Sequence, residues 1–360
     1  MTITVPSADL TSLVGQCFER AGMAPEDAER VAGVVVDANL RGHDSHGVAR
    51  VPGYLRRFAA GATGGGEVIG EPLGEGPLRR VDAGAALGPL AGLRGTDLAA
   101  ELAGEHGIGL VAVGNSSHFG AAGFFARRLA ERDLIGMVAT NGPANMAAYG
   151  SSMPFLGTNA LAIGIPLDGG RQFVLDMSCS IAARGKIIRK RELGEPLEPG
   201  LALDAEGEPT EDAAAALAGA VLPFAGPKGS GLALAISLAV GTLAGASFDD
   251  EAGRSQGADA KPQDIGHLFA AVDPWRLADR EQVEARIAGL VERLHSLRPG
   301  AGFDRVLYPG ERGELERRTR LVDGVPLAAQ ELEELAQACD ELGHDQLASR
   351  VRSLLAPAAR

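Results

Sequence analysis

Residues 88 to 176 alternate between helical and extended hydrophobic spacing, and no other feature of the chain limits its fold as much. Apolar residues recur at helical intervals over 88–106, with Gly107 placed to cap the helix. A short apolar run at 108–113 reads as a strand, 120–132 as a helix and 134–140 as a strand. A Gly- and Pro-rich loop leads to residue 159, then 161–166 and 172–176 read as strands and 181–191 as a helix. Helices and strands in turn, on a chain of 360 residues, predict a protein of the α/β (α+β) class with two or three lobes.

Helices dominate the flanks. Ser7 stands where an N-cap belongs, ahead of Leu10, Leu13, Val14, Cys17 and Phe18 at helical spacing. Pro25 suits a first helical turn, Val31, Val35 and Leu40 continue the pattern, and Gly42 stops it. A third helix carries Arg50, Tyr54 and Arg57, whose spacing puts them on one face. Farther on, 228–246 reads as an apolar helix. Its most apolar part, 231–246, is short for a membrane span and is interrupted by Ser237, Gly241 and Thr242, so it reads as a buried core helix. The polar stretch 248–265, nearly devoid of bulky apolar groups, reads as a mobile loop or lid. A strand at 268–272, a helix at 275–297 and two short helices complete the chain.

Composition narrows the function classes. Aromatic residues make up only 4% while glycine numbers 50, so the core must be assembled from Ala, Val, Leu and Ile at close range. A formal charge of −13 without a basic run argues against nucleic acid as a partner. Cys17, Cys179 and Cys339 show no CxxC spacing and read as reduced thiols, the pattern of a cytoplasmic protein. The first ten residues lack the basic and apolar regions of a signal peptide.

Nucleotide and metal motifs fail on inspection. Gly107-Ile108-Gly109-Leu110-Val111-Ala112 fits a degenerate GxGxxG/A pattern, but it precedes its strand, where a dinucleotide fingerprint would follow one. Gly185-Lys186 and Lys228-Gly229-Ser230 lack the frame of a phosphate loop. His43 and His46 have no third ligand nearby, so no metal is expected.

Three polar clusters fall at the ends of expected elements, where α/β proteins place ligands. They are Arg41-Gly42-His43-Asp44-Ser45-His46-Gly47, Asn115-Ser116-Ser117-His118-Phe119-Gly120, and Gly157-Thr158-Asn159 with Asp176-Met177. Together with Arg50 and Tyr54, Ala183-Arg184-Gly185-Lys186, Pro227-Lys228-Gly229, Gly302-Phe303 and Tyr308-Pro309-Gly310, they resemble the non-Rossmann malate/L-lactate dehydrogenase family. That family includes ureidoglycolate, sulfolactate and diketogulonate dehydrogenases and piperideine-carboxylate reductases. The resemblance runs unbroken from about residue 8 to 315.

The resemblance implies a family-specific cofactor-binding domain with a largely antiparallel sheet, at 76–289, and a helical lobe at 1–75 joined by 290–360. It also implies a homodimer, NAD or NADP as cofactor, and a small carboxylate substrate. His118 matches the family's catalytic position, and imidazole can supply a proton near neutral pH. His46 and Ser45 are expected to hydrogen-bond the reacting oxygen, although both would also serve as a polar cap after the second helix. Arg50 has the planar fork that pairs with a carboxylate, and Tyr54 lies one turn on. Thr158 and Asn159 are expected to support the substrate or merely to shape a turn. Gly142, Asp176, Met177, Ser178, Lys186, Lys228 and Gly229 are the expected cofactor contacts, Asp176 being equally suited to cap a helix. Ala160 in place of the family's usual proline, Ser178-Cys179-Ser180 and Ser230 depart from the pattern and leave the substrate open. Reduction of cyclic or N-alkyl 2-imino acids is the alternative chemistry, and a catalytically lost binding or structural homodimer is the non-enzymatic one.

Overall fold

The computed structural model describes residues 2–253 and 262–355. The chain begins with β1 (Thr2–Val5), α1 (Ser7–Arg20) and α2 (Pro25–Leu40). Two short 3-10 turns, Asp44–His46 and Val48–Arg50, lead into α3 (Val51–Ala59). Then come β2 (Leu78–Asp82), α4 (Gly88–His106), β3 (Ile108–Ser116), α5 (Ala122–Ala130) and β4 (Ile135–Thr140). After these lie β5 (Met146–Ala147), β6 (Pro154–Leu156), β7 (Ala160–Pro166), β8 (Gln172–Ser178) and α6 (Arg184–Leu193). The next elements are β9 (Ala202–Leu203), β10 (Pro209–Thr210), α7 (Ala213–Ala218), β11 (Ala220–Val221) and α8 (Pro227–Ala244). The described chain closes with β12 (Ile265–Val272), α9 (Arg280–His295), α10 (Glu311–Asp323), β13 (Val325–Ala328), α11 (Ala329–Glu341) and α12 (Asp345–Ser353).

The central sheet has the order β2-β3-β12-β4-β7-β8. Only β2 and β3 pair in parallel; every other neighbour is antiparallel. The alternation β3-α5-β4 leaves a gap one strand wide between β3 and β4, and β12 fills it. Period-2 alternation sends Val111 and Val113 of β3 toward the core under α4 and α5, and Ala112 toward the opposite core under α8.

The scarcity of aromatics is met by close backbone approach. A Cβ on Gly164 of β7 would overlap the Ala126 carbonyl oxygen of α5, and one on Gly114 of β3 would overlap the Ala244 carbonyl oxygen of α8. The helices therefore rest on glycine rather than on side chains. Gly164→Ala is expected to destabilise the protein by about 1–3 kcal/mol, because a packed core resists an added methyl. Urea unfolding measures this, and an unchanged midpoint would show that the helix can lift off the sheet at no cost.

A separate apolar core joins the chain ends. Leu10, Val14 and Phe18 of α1, Val31 and Val35 of α2, and Leu55 of α3 pack with Leu327, Leu332, Leu335 and Val351. β1 and β13 pair antiparallel beside it, Val5 opposite Val325. The Cys17 and Cys339 thiols, both buried, meet here at 3.8 Å.

Several local expectations change. α1 follows Pro6, not a Ser7 cap: Ser7 is already helical, and its carbonyl accepts from Thr11 Oγ1. Arg50 lies in the 3-10 turn ahead of α3. The expected helix at 275–297 is a short turn at Pro274–Arg276 followed by α9, which Asp279 caps through the Gln282 amide. Three helices and a strand, not two helices, follow α9. α8 is not buried all round. Ala233, Ile236, Ser237 and Val240 face the sheet, while Leu234, Leu238 and Leu243 are 44%, 51% and 44% exposed, with no further layer over them among the described residues. By length and composition alone α8 would reach across a membrane. Residues 254–261 of the expected mobile loop lie outside the described residues. The flanks of that loop are anchored: Asp264 accepts from the Ser247 amide and hydroxyl, and Gln263 is buried.

Candidate active site

The loop between α2 and α3 is shaped from beneath by Asn39, a fully buried side chain on the apolar face of α2. Its Oδ1 accepts from the Val48 amide at 2.8 Å and its Nδ2 donates to Asp44 at 3.0 Å. Gly47 must be glycine because a Cβ there would overlap the Asn39 amide. From α10, Arg320 donates to the Asn39 carbonyl and to Asp44, both at 2.6 Å. The consequence is a rigid presentation of Ser45, His46 and Arg50.

Those residues meet the loop after β3. Ser45 Oγ lies 3.1 Å from His46 Nδ1, and Arg50 Nε donates to the Ser45 carbonyl at 2.6 Å. The Tyr54 hydroxyl is 2.6 Å from His118 Nδ1, and the His46 and His118 rings stack 5.8 Å apart. The His118 amide donates to Gln263 Oε1, while Ser117 Oγ accepts from the Gly88 amide at the start of α4. Beneath His118, Phe119 stacks on His267 at 4.3 Å. His267 is fully buried and bridges Thr140 at 2.7 Å and Ser116 at 2.9 Å, tying β12 to both of its neighbours.

Burial sets the protonation states. It is the largest influence on His46, which is lowered to about 3, with Arg50 and His43 adding repulsion. His118 is lowered well below the ordinary imidazole value by burial, then by Arg50, His46 and His267. Burial raises Tyr54, so its phenol stays protonated. Arg50 is lowered by burial, yet guanidinium starts so high that it keeps its charge.

His267 is lowered to about 3 by burial, which makes it an acid-sensitive point of the fold. Its folded pKa lies below the unfolded value of 6.5, so the unfolded chain takes up a proton that the folded one refuses. Stability is full above that value and falls as pH drops toward 3, by about 1.4 kcal/mol per unit from this group alone. Thermal melting followed from pH 7 to 4 checks this. His267→Gln should flatten the decline, and an equal slope in both proteins would refute it.

A cavity of about 700 Å³ opens at His43, on the loop that carries Ser45 and His46, and Ser45, His46, Arg50, Tyr54 and His118 are not among its walls. His43, Gly123, Val174 to Asp176, Phe303, Arg305 to Gly310 and Arg312 are among its walls. Asp176 Oδ2 accepts from the Gly123 amide at 2.8 Å, and its other oxygen has no partner among the described residues. Burial raises the Asp176 pKa, against the Gly123 bond, His43 and Arg127. A second cavity of about 830 Å³, between α2 and α4, contains none of the imidazoles.

The remaining expected residues divide. Ser178 shares a hydroxyl contact with Ser180 at 2.9 Å. The start of α8 packs onto the next residue, since a Cβ on Gly229 would meet the Cys179 carbonyl, so Lys228 and Gly229 lie near Ser178. A Cβ on Gly142 would point into open space. Lys186 is exposed and 3.5 Å from Glu198, while Gly185 beside it presses on Ser45. Asn159 is a strut: its amide donates to the Ala233 carbonyl at 2.8 Å and to buried Asp249 at 2.7 Å. The Thr158 carbonyl accepts from the Cys179 amide. Asn39, Arg320, Gln263, His267 and Asp249 were not singled out from the sequence. Asn39 alone carried a signal there, as an amide on the apolar face of a helix.

The chain matches the family model described as malate/L-lactate dehydrogenase over residues 5–336. It is 35% identical to an L-sulfolactate dehydrogenase of Methanocaldococcus jannaschii, across 92% of this chain and 95% of the relative. It is 36% identical to a (2R)-3-sulfolactate dehydrogenase (NADP(+)) of Chromohalobacter salexigens, across 90% of this chain and 97% of the relative. Among solved structures, delta1-piperideine-2-carboxylate reductase of Pseudomonas syringae superposes with a TM-score of 0.83 at 31% identity, covering 93% of this chain and 99% of that one.

Proposed function

Because the chain belongs to the malate/L-lactate dehydrogenase family, we propose that it interconverts a small 2-oxo acid and its 2-hydroxy acid, with NADH or NADPH as redox partner. Arg50 carries this reading. Its Nε is held by the Ser45 carbonyl, and its terminal nitrogens have no partner among the described residues. A half-buried guanidinium between two imidazoles suits a substrate carboxylate next to a reacting carbonyl.

The cavity beside Asp176 suits the cofactor in volume and in having an unpartnered carboxylate oxygen on its wall. Asp176, Met177, Ser178 and Gly142 would hold the cofactor, with Lys228 and Gly229 near its phosphates and Lys186 at the edge. A bound dihydronicotinamide supplies the hydride. The protein's own residues manage the carboxylate and the proton. With Tyr54 kept protonated, a hydrogen bond donated by its hydroxyl to His118 Nδ1 would leave neutral His118 with its proton on Nε2, ready to hydrogen-bond the substrate oxygen. Ser45 can donate to or accept from His46 Nδ1, so that bond survives when His46 gains or loses a proton. His118 is opposed by three positive neighbours, Arg50, His46 and His267, and His46 by two, Arg50 and His43, so His46 is the better proton carrier of the two and His118 the orienting donor. A carboxylate on Arg50 offsets the repulsion that depresses both rings, so substrate binding itself favours proton uptake.

The test is absorbance at the reduced-nicotinamide band with NADH or NADPH and a panel of 2-oxo acids, pyrroline-2-carboxylate and piperideine-2-carboxylate. Turnover of the 2-oxo acids that is lost in His118→Ala supports the reading. Turnover of the imino acids alone would move it to the chemistry named for the Pseudomonas syringae neighbour. No oxidation with any partner would refute it.

The working form is a homodimer, which we place in the cytoplasm; three unpaired buried cysteines support a reducing compartment. The exposed leucines of α8 support a partner copy seated on that face. Light scattering should give twice the chain mass, and Leu238→Glu should shift it toward one chain. A wild-type mass of one chain would rule the dimer out.

A further inference from the structure

Building on the cofactor reading above, we propose that Arg305 and Arg312 bind the 2′-phosphate of NADP(H), making it the preferred cofactor over NAD(H). Charges around the cavity are unevenly satisfied. Arg41 is paired with Asp37 at 3.2 Å and Glu314 at 3.1 Å, and Arg127 with Asp37 at 2.6 Å and Glu131 at 3.3 Å. Asp37 thereby has one oxygen on each of two guanidinium groups. Arg305 and Arg312 line the same cavity, are exposed, and have no partner among the described residues.

Among the described residues no wall carboxylate is paired with either of those two arginines. A site selective for NAD(H) holds the ribose diol with a free carboxylate, and a 2′-phosphate would be repelled by one. Asp37 is engaged by its two arginines, and Asp176 accepts from the Gly123 amide and interacts with His43 and Arg127. Glu311, next to Arg312 in sequence, is turned toward His295 and the Tyr308 amide, and it is not part of the wall. Of the charged residues in 303–312, Asp304 and Glu311 are absent from the wall and Arg305 and Arg312 line it, and a phosphate dianion is the ligand group that takes two guanidinium forks. Phe303, 72% exposed on the same wall, offers a flat apolar face for the attached adenine.

The experiment pairs calorimetric titration with kinetics. Wild-type protein is titrated with 2′,5′-ADP and, separately, with 5′-ADP, which needs no knowledge of the substrate. The expected result is binding of 2′,5′-ADP at least tenfold tighter than 5′-ADP, with the gap closing as salt is raised. Arg305→Gln and Arg312→Gln should each reduce 2′,5′-ADP affinity by about 10- to 100-fold, the usual loss for one charge-assisted contact. Arg305→Lys should recover part of it. In the kinetic arm, the NADPH-to-NADH ratio of kcat/KM should fall by the same factor in each Gln variant. Equal binding of the two nucleotides by wild-type protein would overturn the proposal. So would equal losses for both nucleotides in the variants, which would mean that the arginines grip a phosphate common to both. Selective 2′,5′-ADP binding without turnover of any 2-oxo or imino acid would leave this site standing and remove only the proposed reaction.

Discussion

His46→Gln is expected to lower kcat/KM for 2-oxo acid reduction by about 100- to 10,000-fold, the usual range for losing a positioned proton donor. The amide keeps most of the ring's volume and can still bond Ser45, so folding should be preserved. His118→Gln should cost less, because an amide N–H can still donate to the substrate oxygen. The pH profile separates the two roles further. In the direction of 2-hydroxy acid oxidation, the base must be neutral, and the free-enzyme value of His46 is lowered to about 3. Wild-type kcat/KM should therefore stay level as pH falls through 6.5, where an ordinary histidine would be lost, and decline only on approach to 3. A decline centred near 6.5 would show that His46 is more open to water than its burial implies. Equal losses in the two Gln variants, with the same pH dependence, would return the proton to either ring without distinction.

Arg50→Gln has the second large effect. Removing one partner of a desolvated charge pair costs about 2–5 kcal/mol, or roughly 30- to 5,000-fold in kcat/KM. The loss should appear mainly in KM for the 2-oxo acid, while the dissociation constant of NADPH, read by fluorescence, stays within a factor of two. Arg50→Lys should not rescue it, because an ammonium cannot hold the Ser45 carbonyl through Nε and present a planar fork at the same time. A second signature follows from charge. Arg50 lowers both His46 and His118, so its removal must raise both, and their ring protons should titrate at higher pH in the variant. A KM unchanged by Arg50→Gln would place the carboxylate elsewhere in the cavity.

The two proposals use different parts of the chain and were unequally visible in its residues. The cluster Ser45-His46 with Arg50, and the loop bearing His118, were legible as polar groups beside glycines at element ends. Their partnership was not. Tyr54 and His118 are 64 positions apart, and only folding puts them 2.6 Å from each other. The supports were less visible still. Arg320 reaches the Asn39 carbonyl across 281 positions and Gln263 the His118 amide across 145. In the sequence each is one more polar residue on a helix or loop.

The fold divides along the same line. Periodicity located α2, α4, α5, β4, β7 and β8 to within a few residues, and Gly107 does end α4 in the left-handed conformation. These are local properties: helix spacing, strand alternation and the freedom of a glycine at positive φ. Strands of two or three residues, such as β5, β9, β10 and β11, are too short to show any period, so the small five-stranded sheet left no trace in the pattern. The sequence by itself determined which segments are helix or strand and which residues carry usable chemistry. The tertiary structure alone decided that β12 enters between β3 and β4 and turns an alternating chain into a largely antiparallel sheet. It also decided that one face of α8 is left uncovered by the described residues of its own chain and that Asn159 braces Asp249. Strand pairing and side-chain partnership are contacts between distant parts of a chain, and their energies depend on what burial brings together rather than on what stands next in line.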